Sequence, residues 1–90
     1  MGTALVQIKI MPASPDTDLE AIKNKAFQTI EENKGTNTQF NEEPIAFGLK
    51  AVIASFDIDE SNPLEAIEEA LRKIENVNSA EVSDMRRAFG

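Results

Sequence analysis

Apolar residues occupy every second position from Thr3 to Met11, with Ala4, Val6, Ile8 and Ile10 on one side and Gln7 and Lys9 among those on the other. A period of two is that of a half-buried strand, and Pro12 and Pro15 close it. The period then lengthens. Leu19, Ile22, Ala26 and Ile30 share one helical face, Thr17 and Glu20 have the spacing of a capping box at its start, and Gly35 supplies a stop.

Residues 36 to 46 are polar and weakly patterned. Pro44 cannot donate a ladder hydrogen bond, which predicts a short strand on the edge of a sheet, where Glu42 and Glu43 also discourage foreign pairing. After Gly48 the run LKAVIASFDI is apolar on both faces, with Val52, Ala54, Phe56 and Ile58 on one and Leu49, Ala51 and Ile53 on the other, as in a central strand. Asn62, Pro63 and Glu65 mark a second helix, with proline at its first position and Glu65 closing a capping box, and Leu64, Ile67, Leu71 and Ile74 as its buried stripe. Ala80 and Val82 alternate within a final strand at residues 78 to 86.

The order is βαββαβ, and the tetrapeptide LEAI opens both helices, at Leu19 to Ile22 and at Leu64 to Ile67. Two similar βαβ halves predict an α+β fold, the ferredoxin-like plait: a four-stranded antiparallel sheet with both helices on one face. Its 90 residues make one domain, 1–90.

Composition narrows the chemistry. The chain has no cysteine and no histidine, which removes thiolate metal sites, disulfides and the commonest general base together. No metal site or cofactor is expected, and no enzyme. No window reaches the ~18 apolar residues of a membrane span and no leader pattern opens the chain, so a cytoplasmic protein is expected. The formal charge of −7 repels phosphate backbones and matches a basic partner better than a nucleic acid.

The plait hosts many functions, so the residues must choose among them. A metal carrier of this shape needs a Cys-x-x-Cys loop, and an RNA binder needs aromatics on the central strands where this chain has Leu5, Leu49, Ala51 and Ile53. Carboxylates gather at Asp16 and Asp18, at Asp57, Asp59 and Glu60, and at Glu65, Glu68 and Glu69, none with the spacing of a calcium loop. Helix starts and solvated faces account for them.

Phe47 is harder to explain, because Pro44 and Gly48 hold it in or beside the turn between the second and third strands. Either its ring folds back over the sheet edge, or it anchors a partner, as aromatics do at interface hot spots. Arg86 and Arg87 form an adjacent basic pair near the end of an otherwise acidic chain. They are either a solvated strand end or a source of positive charge for a partner's carboxylate or phosphate site.

The stretches IKIMPASPDTDLEAI, EEPIAFGLKAVIASF and VSDMRRAFG resemble the translation elongation factor one-beta family in its short archaeal form, over essentially the whole chain. The run from Pro44 to Lys50 carries the most specific part of that likeness. The resemblance implies a guanine-nucleotide exchange factor that wedges against the elongation factor one-alpha GTPase near its nucleotide site and speeds release of GDP. It further implies partner-binding roles for Pro44, Phe47 and Gly48, with Phe47 the inserted aromatic. The family's longer, eukaryotic members carry a lysine close to the C-terminus that intrudes on the magnesium site; here the last lysine is Lys73, and Arg86, Arg87 and Phe89 stand in that region instead. Those members also have an N-terminal docking domain that this sequence lacks, so a factor acting alone, monomeric when free, is expected. The rival expectation is a small-molecule regulatory or oligomerisation module that packs through Leu49, Ala51 and Ile53.

Overall fold

The computed structural model describes residues 2–88. Strand β1 (Thr3–Pro12) buries Ala4, Val6, Ile8 and Ile10 as its alternation predicts, and runs on to include Pro12. Helix α1 (Leu19–Glu32) begins one residue later than the capping box implies. Its cap is Asp18, whose carboxylate accepts from the backbone N–H of Glu20 at 3.1 Å and of Ala21 at 3.4 Å. An ionised acceptor at the positive end of a helix is worth more than a hydroxyl there. Thr17 instead closes the preceding turn, accepting from Ser14 N–H at 3.2 Å.

The helix ends in a Schellman motif, Lys34 N–H to Glu31 C=O at 3.0 Å and Gly35 N–H to Ile30 C=O at 2.8 Å. Its left-handed residue is Lys34, with φ 72°, not the glycine. Gly35 is required for a different reason: it is buried where a Cβ would collide with the Ile30 side chain.

Strand β2 (Thr36–Pro44) is the predicted edge strand but is nine residues long rather than short. Its pairing with β3 (Lys50–Asp59) slips between Thr36 and Gln39, where Asn37 takes φ 53°. Helix α2 (Leu64–Arg72) again differs at its start. Pro63 is the cap residue and has no side-chain acceptor, so the box expected from Asn62 and Glu65 does not form. Asp59 organises this turn instead, accepting from Ser61 N–H at 2.9 Å and Ser61 O–H at 2.7 Å. Strand β4 (Val77–Ala88) is longer than predicted at both ends.

The sheet is antiparallel throughout, in the order β2-β3-β1-β4, so β3 is interior. One core joins Ile22, Ala26 and Ile30 of α1 with Ile67 and Leu71 of α2, and seats both on Val6, Ile8, Val52, Ala54 and Phe56. Both helices therefore lie on one face. The other face is left open, and the register of β1 against β3 and β4 fixes what stands at each of its ends.

Candidate functional site

Between Pro44, paired with Lys50, and the start of β3 the chain reverses over Ile45 to Leu49. Ile45 N–H donates to Leu49 C=O at 2.7 Å and Leu49 N–H to Ala46 C=O at 3.3 Å. The two central residues of that inner turn, Phe47 and Gly48, both have positive φ, 64° and 76°. This mirror-image turn suits the right-handed twist of a hairpin and ordinarily carries Asn or Gly at such positions. Phenylalanine there costs about 1 kcal/mol of backbone strain. Nothing inside the molecule repays it, because Phe47 is 92% exposed. The ring does not fold back over the sheet edge.

Arg86 and Arg87 stand at the opposite end. Arg86 is paired with Leu5, and Leu5 with Asp57. From Lys50 to Asp57 the strand covers about 23 Å at ~3.3 Å per residue, in a molecule 41 Å long. The two arginines also do not act as a side-by-side pair. Neighbours on a strand point to opposite faces, so Arg86 joins Leu5 on the open face while Arg87 lies opposite Ala4 on the helix side. Each meets an acid: Arg86 Nε lies 3.1 Å from Asp84 Oδ2, and Arg87 Nε lies 3.4 Å from Glu60 Oε2. Phe89 lies outside the described residues.

The Asp84 partner was legible, since Asp84 and Arg86 are two apart on one strand face. Glu60 was not, because only the register brings it to the end of β4. Two apolar side chains are exposed at the arginine end, Leu5 at 43%, on the outer face where the sequence places it, and Met85 at 54%, which the sequence did not single out. Between Leu5, Gln7, Gln39, Ser55, Asp57 and Arg86 the open face sinks into a shallow concavity of about 490 Å³. It is lined mostly by polar groups, one of them Asn37, whose amide donates to Asp57 Oδ2 at 2.7 Å.

The apolar patch expected of an oligomerisation module is largely covered. Ala51 is buried, and Leu49 and Ile53 are half-buried. Lys9, opposite Ile53, reaches Glu43, opposite Ala51, at 3.9 Å and spans the row. The β4 edge is blunted as well: Arg72 Nε donates to Ala80 C=O at 3.1 Å, and Glu68 accepts from Val82 N–H at 2.9 Å, which occupies backbone groups a second copy would need.

Two exposed acids are held below the ordinary carboxylate range. Glu42 is held down by its hydrogen bond from Lys23, 2.7 Å away, and by that ammonium's charge. Asp59 is held down by the hydrogen bonds from Ser61. Among the described residues no group of three or more His, Cys, Asp or Glu side chains could hold a metal, and no helix is long and apolar enough to cross a membrane.

Residues 5–88 match the family described as the EF-1 guanine nucleotide exchange domain. The chain is similar to the elongation factor 1-beta of Methanothermobacter thermautotrophicus, with 44% identity over 88 residues, 97% of this chain and 98% of that protein. It is similar to that of Methanobrevibacter smithii, with 43% identity over 88 residues, again 97% and 98%. With that of Methanococcus maripaludis strain C6 it shares 36% identity over 86 residues, 94% of this chain and 97% of the other.

Proposed function

The chain belongs to the elongation factor 1-beta family of guanine nucleotide exchange domains, and from that premise we infer that it promotes release of GDP from the elongation factor 1-alpha GTPase during translation elongation. It does so by binding rather than by bond chemistry. An exchange factor accelerates release only if it prefers the nucleotide-free GTPase to the GDP-bound one, since a ligand shifts an equilibrium by no more than its differential affinity.

Phe47 carries this reading. A strained, almost fully exposed phenylalanine on a rigid turn has no use inside the domain, and a pocket on the GTPase supplies one. Pro44 ends β2 and Gly48 provides the second positive φ, so together they shape the loop that presents the ring. Arg86 and Arg87 are too far from the ring to share its pocket. They serve a second contact, where a guanidinium competes for phosphate or carboxylate groups around the nucleotide, in the region of the chain where longer relatives use lysine.

This reading needs no cofactor, nucleic acid or membrane. The acidic surface, −7 overall, favours encounter with a basic face of the GTPase, and the free protein acts as a monomer in the cytoplasm. Elongation factor 1-alpha preloaded with a fluorescent GDP and chased with unlabelled nucleotide provides the test. Micromolar protein is expected to accelerate the loss of signal, and an unchanged rate rejects the assignment.

A further inference from the structure

The loop between β1 and α1 meets the Phe47 hairpin at the same end of the sheet. A Cβ placed on Gly48 would lie 4.0 Å from Pro15 Cβ, the nearest atom to that side of the turn. The loop is held in place from three directions. Ala13 N–H donates to Asn76 C=O at 2.8 Å. Ser14 and Thr17 close a turn on each other, with Ser14 N–H to Thr17 Oγ1 and Thr17 N–H to Ser14 C=O both at 3.2 Å. Asp18 is engaged as the α1 cap. Pro15 and Asp16 project from this frame and are exposed.

The charges on the hairpin strands themselves are spoken for, whereas Lys73 and Glu75, after α2 at this end, form no ion pair among the described residues. Glu42 is tied to Lys23, Glu43 faces Lys9, and Lys50 at the foot of the hairpin faces Glu42. Asp16 forms no ion pair among the described residues. We propose that Pro15 and Asp16 form one composite docking tip with Phe47, which inserts its ring into an apolar pocket of the GTPase while Pro15 packs on the pocket's lip and Asp16 meets a lysine or arginine on its rim.

The proposal rests on the exchange-factor reading and adds a specific charge contact to it. A rim charge acts mainly on the rate of encounter and is screened by salt, whereas a buried ring acts on dissociation and is not. Both elements are already rigid, so neither has to be ordered on binding.

The test measures association and dissociation of the full chain with nucleotide-free elongation factor 1-alpha by stopped flow, at about 50 and about 500 mM salt. Asp16→Lys is expected to slow association about tenfold at low salt, with most of the loss gone at high salt. Phe47→Ala should speed dissociation at both salts. Glu31→Lys, the same change of charge near the far end of α1, controls for net charge and should leave association within about twofold. If Phe47→Ala weakens binding while Asp16→Lys behaves as wild type, the composite tip is overturned and the exchange-factor reading stands. An equal slowing by Glu31→Lys overturns it too, since net charge alone would explain the effect. Normal binding by Phe47→Ala also overturns it, and wild-type protein that fails to bind removes the proposal and the function together.

Discussion

At the hairpin end Phe47 has nothing inside the molecule to hold it, whereas at the other end Arg86 and Arg87 are each tied to an acid of the same chain. The ring's turn is defined by two backbone hydrogen bonds, so the partner proposed for it would receive a preformed anchor and disturb nothing by taking it. The arginines must leave Asp84 and Glu60 before they can serve anything else. Exposed pairs of that kind are worth only about 0 to 1 kcal/mol, so the obstacle is small, but it means that the arginine end gains less from a partner than the ring does. On the proposed function, affinity is expected to be concentrated at the hairpin, with the arginines adjusting the outcome at the far end.

That comparison holds only while the sheet keeps its two ends apart, and the core residue that does most for the frame is Phe56. It is interior to β3 and 2% exposed, packed among both helices' apolar faces. Phe56→Ala is expected to destabilise by about 3 to 5 kcal/mol, the largest effect of any change considered, and to impair both ends together through loss of folded protein. Chemical unfolding measures it. A loss well under 1 kcal/mol would mean that the ring is not packed as described.

Phe47→Asn sharpens the contrast from the other side. Asparagine tolerates the left-handed conformation that phenylalanine occupies at φ 64°, so the variant should gain up to about 1 kcal/mol of stability, or roughly 4 to 8 °C in Tm for a domain of this size. Binding to the GTPase should fall by about 2 kcal/mol or more, the loss typical of a hot-spot aromatic. A residue whose removal stabilises the fold and weakens the activity is retained for the activity. Thermal unfolding and GDP release on the same preparation decide it, and a destabilised variant with normal exchange would return the ring to a structural role.

The fold was legible because its signals are local and repeated: period two in β1, the helical stripes, and LEAI at the start of both helices. Caps were less so. Thr17 and Glu20 have the spacing of a box, but Asp18 is a stronger acceptor one residue nearer the helix, and spacing alone does not weigh one acceptor against another. At the candidate site, Phe47 stands out since Pro44 and Gly48 bracket it, although its positive φ and its exposure are set by the three-dimensional fold. The separation of Phe47 from Arg86, the divergence of Arg86 from Arg87, and the meeting of Pro15 with Gly48 all depend on register and long-range packing. No local pattern encodes those.

The arginine end should respond more weakly. Replacing Arg86 and Arg87 together by Gln is expected to slow GDP release by about tenfold, the value of one charge-assisted contact, while unfolding shifts by less than about 0.5 kcal/mol because both side chains are exposed. Since the two point to opposite faces, the single variants should add up to the double one; residues sharing one site would couple. Normal exchange in the double variant would make them solvated surface.

The smallest effect separates the two ends by how each holds an acid. Glu42, towards the hairpin, is kept below its ordinary range chiefly by the hydrogen bond and charge of Lys23, and Asp59, at the arginine end, by hydrogen bonds from Ser61. A carboxylate whose pKa is depressed on folding adds stability at pH values above its unfolded pKa, and that contribution is lost as pH falls through the lower folded value. For both groups the window therefore lies below roughly pH 4. Lys23 moves the other way: its pKa is raised by the hydrogen bonds it donates to Glu42 and Glu20, so its contribution is complete below its ordinary value and disappears only in strong alkali. Unfolding temperature followed from neutral to acid should thus fall more steeply in wild type than in Glu42→Gln or Asp59→Asn. Salt tells the two apart, because the charge of the half-buried Lys23 ammonium is partly screened and a hydrogen bond from a backbone amide and a hydroxyl within one turn is not. At about 1 M salt the Glu42→Gln profile should move towards wild type as the coulombic share of the Lys23 contact is screened, whereas Asp59→Asn, which keeps an acceptor oxygen for Ser61, should still lack its full part of the acid slope. If salt erases both differences alike, the Asp59 turn is held by charge after all, and the two ends do not differ in how they hold their acids.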